Sequence, residues 1–136
     1  MNDKIFFDTN ILVYCYTKTE PEKNKVAINL AQNPEAWIST QVLQELANTL
    51  RKKFSRDWAE VGATVKEVGQ NFEVFTNELD TLSDALRIAN QYGYSFYDRL
   101  ILSSALSIGC SIVYSEDMQH GQVIDGKVKI LNPFIT

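Results

Sequence analysis

With 136 residues, 45% hydrophobic and 22% charged, the chain has the makeup of a globular protein and the length of one domain with a substantial core. Its net charge of −4 argues against a broad nonspecific nucleic-acid-binding surface, although not against nucleic acid as a substrate, because carboxylates gathered around a divalent cation are neutralised by it. No apolar run nears the roughly 18 residues of a membrane helix, and the start lacks the basic and long apolar regions of a signal peptide, so a cytoplasmic protein without a membrane partner is expected.

Taken in chain order, Ile5–Phe7 is a short apolar run that reads as a buried parallel strand ending at Asp8. Residues 11–16 suggest a short helix, and 18–23 a polar connection. A helix runs through about Gln32, stopped by Asn33-Pro34. Ala36–Ser39 is a candidate strand, with Ser39 or Thr40 as the next N-cap. Over 41–54, Val42, Leu43, Leu46, Ala47, Leu50 and Phe54 recur at helical spacing, with Glu45 off the centre of that stripe. Asp57 caps a helix over 58–68 that Gly69 ends, and 72–75 alternates as a strand. Thr81 to Asp84 has capping-box spacing and opens a helix with Leu82, Ala85, Leu86, Ile88 and Ala89, reaching Tyr92-Gly93. Ser95 to Asp98 repeats that spacing before an apolar helix to Ile108-Gly109. Residues 111–114 form the next buried strand, leading into Ser115-Glu116-Asp117, and 123–131 hold either a hairpin around Asp125-Gly126 or a loop and a last strand. The alternation predicts an α/β fold over a single domain, 1–136: a mainly parallel sheet of about five strands with helices on both faces.

Four acids stand out by position. Asp8 and Asp117 each follow a short apolar strand, Asp98 opens a helix, and Glu45 lies one turn into another. Parallel strands end on one edge, where open α/β sheets bind ligands. Each acid also has a structural reading: Asp8 as a cap, Asp98 in a capping box with Ser95, Asp117 in an Asx-turn, Glu45 as a solvated helix position. In combination they are hard oxygen ligands suited to Mg2+ or Mn2+. One histidine, His120, excludes a paired-histidine mechanism and reads as a surface loop residue; Cys15 and Cys110, without C-x-x-C spacing, read as buried free thiols. The stretch from Gly121 to Lys127 matches the first part of a P-loop, but Val128 stands where the magnesium-holding Ser or Thr belongs. Lys52, Lys53 and Arg56 form the most compact basic cluster, read first as dipole compensation and solvation at a helix end and second as a contact to an RNA backbone.

Phe6-Phe7-Asp8-Thr9-Asn10, Gln44-Glu45, Tyr97-Asp98 and Tyr114-Ser115-Glu116-Asp117 resemble, in order and over essentially the whole chain, the four acidic motifs of the PIN domain, at a length typical of VapC-like toxins of toxin-antitoxin modules. The resemblance implies a central parallel sheet and a metal-dependent ribonuclease site. Asp8, Glu45, Asp98 and Asp117 match the catalytic, metal-binding acids, and Asn10 and Ser115 the polar positions that order them. It implies further an RNA substrate, Mg2+ or Mn2+, a cognate antitoxin and a homodimer. The chemistry expected is in-line hydrolysis by a metal-activated water, with Asp8 and Asp98 as principal ligands, Asp117 bound directly or through water, and Glu45 as ligand or orienter; products carry a 5′-phosphate and a 3′-hydroxyl. Arg99 departs from the small residue common after the third acid, and a structural ion pair is expected of it. The competing readings are a noncatalytic interaction module and a DNA-directed or structure-specific PIN nuclease. A haloacid-dehalogenase-like phosphatase would need an acid where Asn10 stands.

Overall fold

The computed structural model describes residues 3–135. Six strands and six helices follow in the order β1 (Ile5–Phe7), α1 (Thr9–Cys15), α2 (Pro21–Ala31), β2 (Ala36–Ser39), α3 (Thr40–Lys52), α4 (Trp58–Asn71), β3 (Glu73–Phe75), α5 (Leu79–Tyr92), α6 (Phe96–Ile108), β4 (Ile112–Tyr114), β5 (Val123–Ile124) and β6 (Val128–Leu131). They form the mainly parallel α/β architecture that the alternation predicts. The sheet runs β3-β2-β1-β4-β6-β5, with only β5 antiparallel, to β6.

The sixth strand comes from the tail, which folds as a hairpin. Asp125 and Gly126 take positive φ of 52° and 66°, the left-handed turn that Asp-Gly favours. The P-loop likeness ends here, because the following segment is a strand.

β1 is apolar throughout because it is covered on both faces: Ile5, Phe6 and Phe7 are all buried. Phe7 packs edge-on against Phe72 and Tyr114, at centroid distances of 5.7 and 5.9 Å. β1 pairs with β2 on one side and β4 on the other, with Phe7 opposite Tyr114. The chain therefore steps outward from β1 through β2 to β3, then returns past it to β4. Among the helices, α1 packs on α2 and α3, α3 on α4, and α5 on α6, two groups that the right-handed rule for parallel crossovers assigns to opposite faces of the sheet. The reversal between β1 and β4 opens a crevice at their carboxyl ends, the position at which open α/β sheets place ligands.

Several boundaries differ from the sequence reading. α2 starts at Pro21, whose missing N–H costs nothing in a first turn. α4 continues through Gly69 to Asn71, since a helix already packed through Val61 and Val68 tolerates a glycine. α5 starts at Leu79: Thr81 is not its cap but accepts the Glu78 N–H at 3.1 Å, so the nucleus extends upstream of the expected start. Both thiols are free, Cys110 buried and Cys15 half-buried. Among the described residues no helix is long and apolar enough to cross a membrane.

Candidate active site

Asp8 is the first residue past β1. Its N–H continues the ladder to the Tyr114 carbonyl at 3.0 Å, which carries it beside the end of β4. Its Oδ1 accepts the Thr9 N–H at 2.7 Å, capping α1, and its Oδ2 accepts the Ser115 hydroxyl at 2.8 Å. The capping and cleft positions expected of Asp8 are thus occupied by one side chain. Ser115 is fully buried, and its Oγ also accepts the N–H groups of Asp117 and Met118, each at 3.2 Å. Asn10, in the first turn of α1, bridges the two segments. Its Nδ2 donates to Asp117 Oδ2 at 3.1 Å and, more weakly, to Asp8 Oδ2 at 3.4 Å, while its Oδ1 accepts the Glu116 N–H at 3.2 Å.

Glu45 arrives from α3, which packs on α1, and its Oε1 accepts the Thr9 hydroxyl at 2.6 Å. Asp98 arrives from the first turn of α6, whose N-cap Ser95 accepts the Asp98 N–H at 3.2 Å. Asp8, Glu45, Asp98 and Asp117 all line one open cleft of about 730 Å3.

Acids this close disturb one another. Burial pushes the Asp8 carboxyl up to about 7, and the charges of Asp98 and Glu45 add to that; the Ser115 and Thr9 hydrogen bonds oppose it. Asp98 is also raised, by burial and by the Asp117 charge, against a hydrogen bond from Ser95. Among the described residues no three acidic, histidine or cysteine side chains form a ready-made metal cage. The donors facing the cleft are hard carboxylate oxygens, so an ion held here would complete its shell with water or phosphate oxygens.

A fifth acid in the same turn is neutralised within the protein. Glu116 accepts the Tyr14 hydroxyl at 2.6 Å and pairs with the Lys23 ammonium, which lies 5.1 Å from the Tyr14 ring and 5.5 Å from that of Phe134. Burial raises the Glu116 carboxyl, but these partners outweigh it and leave it below the usual range. Sequence reading missed this cluster and Thr9; only the adjacency of Glu116 to Ser115 and Asp117 hinted at it. It also missed Gln41, buried at the start of α3, whose Nε2 donates to the Tyr97 carbonyl at 3.1 Å while its Oε1 has no partner among the described residues. Arg99 makes no ion pair among the described residues, contrary to expectation: its Nε donates to the Ser95 carbonyl at 3.2 Å, closing the first turn of its own helix. His120 is an exposed loop residue, as expected, and its Nδ1 accepts the Asn132 N–H at 2.9 Å.

The family profile of the PIN domain matches residues 5–124. No curated protein matches the chain significantly. Among solved structures, the chain is similar to VapC20 of Mycobacterium tuberculosis, described as a sarcin-ricin-loop-cleaving toxin, at 19% identity and a TM-score of 0.69 over 84% of this chain and 90% of that one. A toxin-antitoxin complex from Klebsiella pneumoniae gives 16% identity and a TM-score of 0.74, covering 96% and 98%. DNA-bound VapBC of Salmonella typhimurium gives 22% and 0.68, covering 95% and 98%. At these identities the likeness is one of fold. The profile match, by contrast, spans all six helices and strands β1 to β5, and on that ground the chain belongs to the PIN domain family.

Proposed function

We propose that the chain is a metal-dependent endoribonuclease of the VapC-like toxin type, built as one domain over 1–136 and acting in the cytoplasm. The observation that carries this reading is the meeting of Asp8, Glu45, Asp98 and Asp117, from four separate segments, on one cleft at the sheet's reversal point. PIN nucleases generally use divalent metal ions, and the donor set here suits Mg2+ or Mn2+. Such an ion, when bound, supplies an activated water and stabilises charge on the phosphodiester. Asp8 and Asp98 are its principal holders, with Asp117 contributing directly or through water and Glu45 orienting or binding. Asn10 and Ser115 hold Asp8 and Asp117 in register, and Thr9 steers Glu45. That no three of these side chains form a ready-made metal cage among the described residues is the one observation favouring a noncatalytic module instead.

Cleavage of defined RNAs and single-stranded DNA with Mg2+, Mn2+ or EDTA separates the readings. RNA cutting that EDTA abolishes supports the proposal; RNA bound but never cut supports the module, and preferential DNA cutting the DNA-directed nuclease. Two neighbouring acids should behave differently. Asp117→Asn is expected to lower kcat/KM by about a hundred-fold, whereas Glu116→Gln changes it less than ten-fold, because Lys23 already offsets that charge. Equal losses from both variants would overturn the role given to Asp117.

The Klebsiella and Salmonella neighbours are toxin-antitoxin complexes, which supports a cognate antitoxin; co-purification with the product of an adjacent reading frame tests it. A homodimer is supported by Leu79, Leu82 and Leu86, which form an exposed stripe along one face of α5. If that stripe is the interface, Leu86→Asp converts a dimer to a monomer in sedimentation.

A further inference from the structure

The cleft continues well beyond the four acids. Gln41, Glu45, Thr49 and Lys53 all line it, at every fourth residue along α3 and its C-cap. Such a row is a continuous ridge on a helix, and the neighbouring row of Val42, Leu46 and Leu50 is fully buried in the core. At 1.5 Å per residue the polar row runs about 18 Å from Gln41 to Lys53, and Lys53 lies about 12 Å along the helix from Glu45.

The charge along this row is uneven. Apart from Lys53, the charged residues lining the cleft are all acids: Asp8, Glu20, Glu45, Asp98, Glu116 and Asp117. A phosphodiester strand entering it meets repulsion except where a cation is held, at the metal-binding end or at Lys53.

The nearby cations are engaged within the protein. Arg51 lies 5.2 Å from the Trp58 ring and donates to the Arg56 carbonyl. Arg56 donates to the Tyr16 carbonyl at 2.6 Å. Arg51 and Lys52 stand in the last turn of α3 and compensate its dipole. Of these four, Lys53 alone lines the cleft; it is exposed and makes no ion pair among the described residues.

We infer that the groove along α3 is the path of single-stranded RNA, with Lys53 holding a backbone phosphate a few nucleotides from the bond that is cut. The inference rests on the ribonuclease reading and adds a binding residue and a direction to it. It replaces the dipole-compensation reading for Lys53 and leaves it in place for Lys52.

The test compares an octanucleotide with the shortest RNA that the wild type still cuts, across a range of KCl concentrations, using wild type, Lys53→Met, Lys53→Arg and Lys52→Met. Lys53→Met is expected to lower kcat/KM for the octanucleotide about ten-fold, mostly through KM. The dependence of log affinity on log salt should become shallower by about 0.7, as one phosphate contact on a single strand requires. The loss should be smaller on the shortest oligomer, Lys53→Arg should restore binding, and Lys52→Met should match wild type. Wild-type KM and salt slope in Lys53→Met, or an equal loss in Lys52→Met, overturns the path while leaving the nuclease intact. A wild-type chain that neither binds nor cuts RNA overturns both.

Discussion

Asp8→Asn is expected to abolish RNA cleavage, by at least about a thousand-fold, while making the metal-free protein more stable at neutral pH. The two effects have one cause. Asp8 is buried among other acids, and its carboxyl is pushed up to about 7 from an ordinary 3.8. The folded state therefore holds that proton more tightly than the unfolded chain between about pH 4 and pH 7, and stability falls as pH rises through this window. By pH 7 the loss amounts to roughly 4 kcal/mol, the free-energy equivalent of that shift. Asparagine removes the titration but recovers only part of this. Both Asp8 oxygens accept hydrogen bonds, from Thr9 and Ser115, and an amide offers one acceptor oxygen. Melting in EDTA between pH 5 and pH 8 should show wild type losing several degrees and Asp8→Asn remaining nearly flat, with the variant above wild type at the alkaline end. Mg2+ should raise the wild-type melting temperature most at high pH and leave the variant unmoved. A wild-type curve that does not fall with pH would mean that Asp8 is not the strained group described here.

Ser115→Ala should cost both stability and activity, although its hydroxyl need touch neither metal nor RNA. The hydroxyl is fully buried and makes three bonds: it donates to Asp8 and accepts from the N–H groups of Asp117 and Met118. Removing it strands the buried Met118 N–H and the part-buried Asp117 N–H, and strips Asp8 of a bond that opposes its raised pKa. The expected loss is about 2–4 kcal/mol in urea denaturation, with cleavage falling by about 10- to 100-fold, as when the orienting partner of a metal ligand is removed. The structural and chemical parts separate by pH. Because Asp8 loses an opposing bond, the acidic limb of the pH–rate profile should move to higher pH in Ser115→Ala. A variant that is merely less stable would lose amplitude with the limb in place.

Much of the local structure is written in residues that act on their immediate neighbours. Ser39, Asp57 and Ser95 cap α3, α4 and α6 because each side-chain oxygen reaches an N–H three residues on. Gly93 and Gly109 close α5 and α6 with φ of 76° and 83°. The apolar run of β1 and the helical stripe from Val42 to Leu50 follow from which face the core covers. The same short range explains the misread boundaries. Gly69 and Thr81 carry local stop and start signals, but α4 and α5 are already nucleated and packed where these residues fall.

The α/β class, the parallel strands and the presence of acids at strand ends and helix starts were determined by the sequence alone, through periodicity and capping that extend over a few residues. Tertiary structure decided the rest: the reversal between β1 and β4, the hold of Thr9 on Glu45, Asn10 as a bridge to Asp117, the withdrawal of Glu116 by Lys23, and the place of Lys53 on the same cleft as the acids. These pairings join residues up to 107 positions apart. Their contacts are set by strand register and crossover handedness, which no short window of residues encodes.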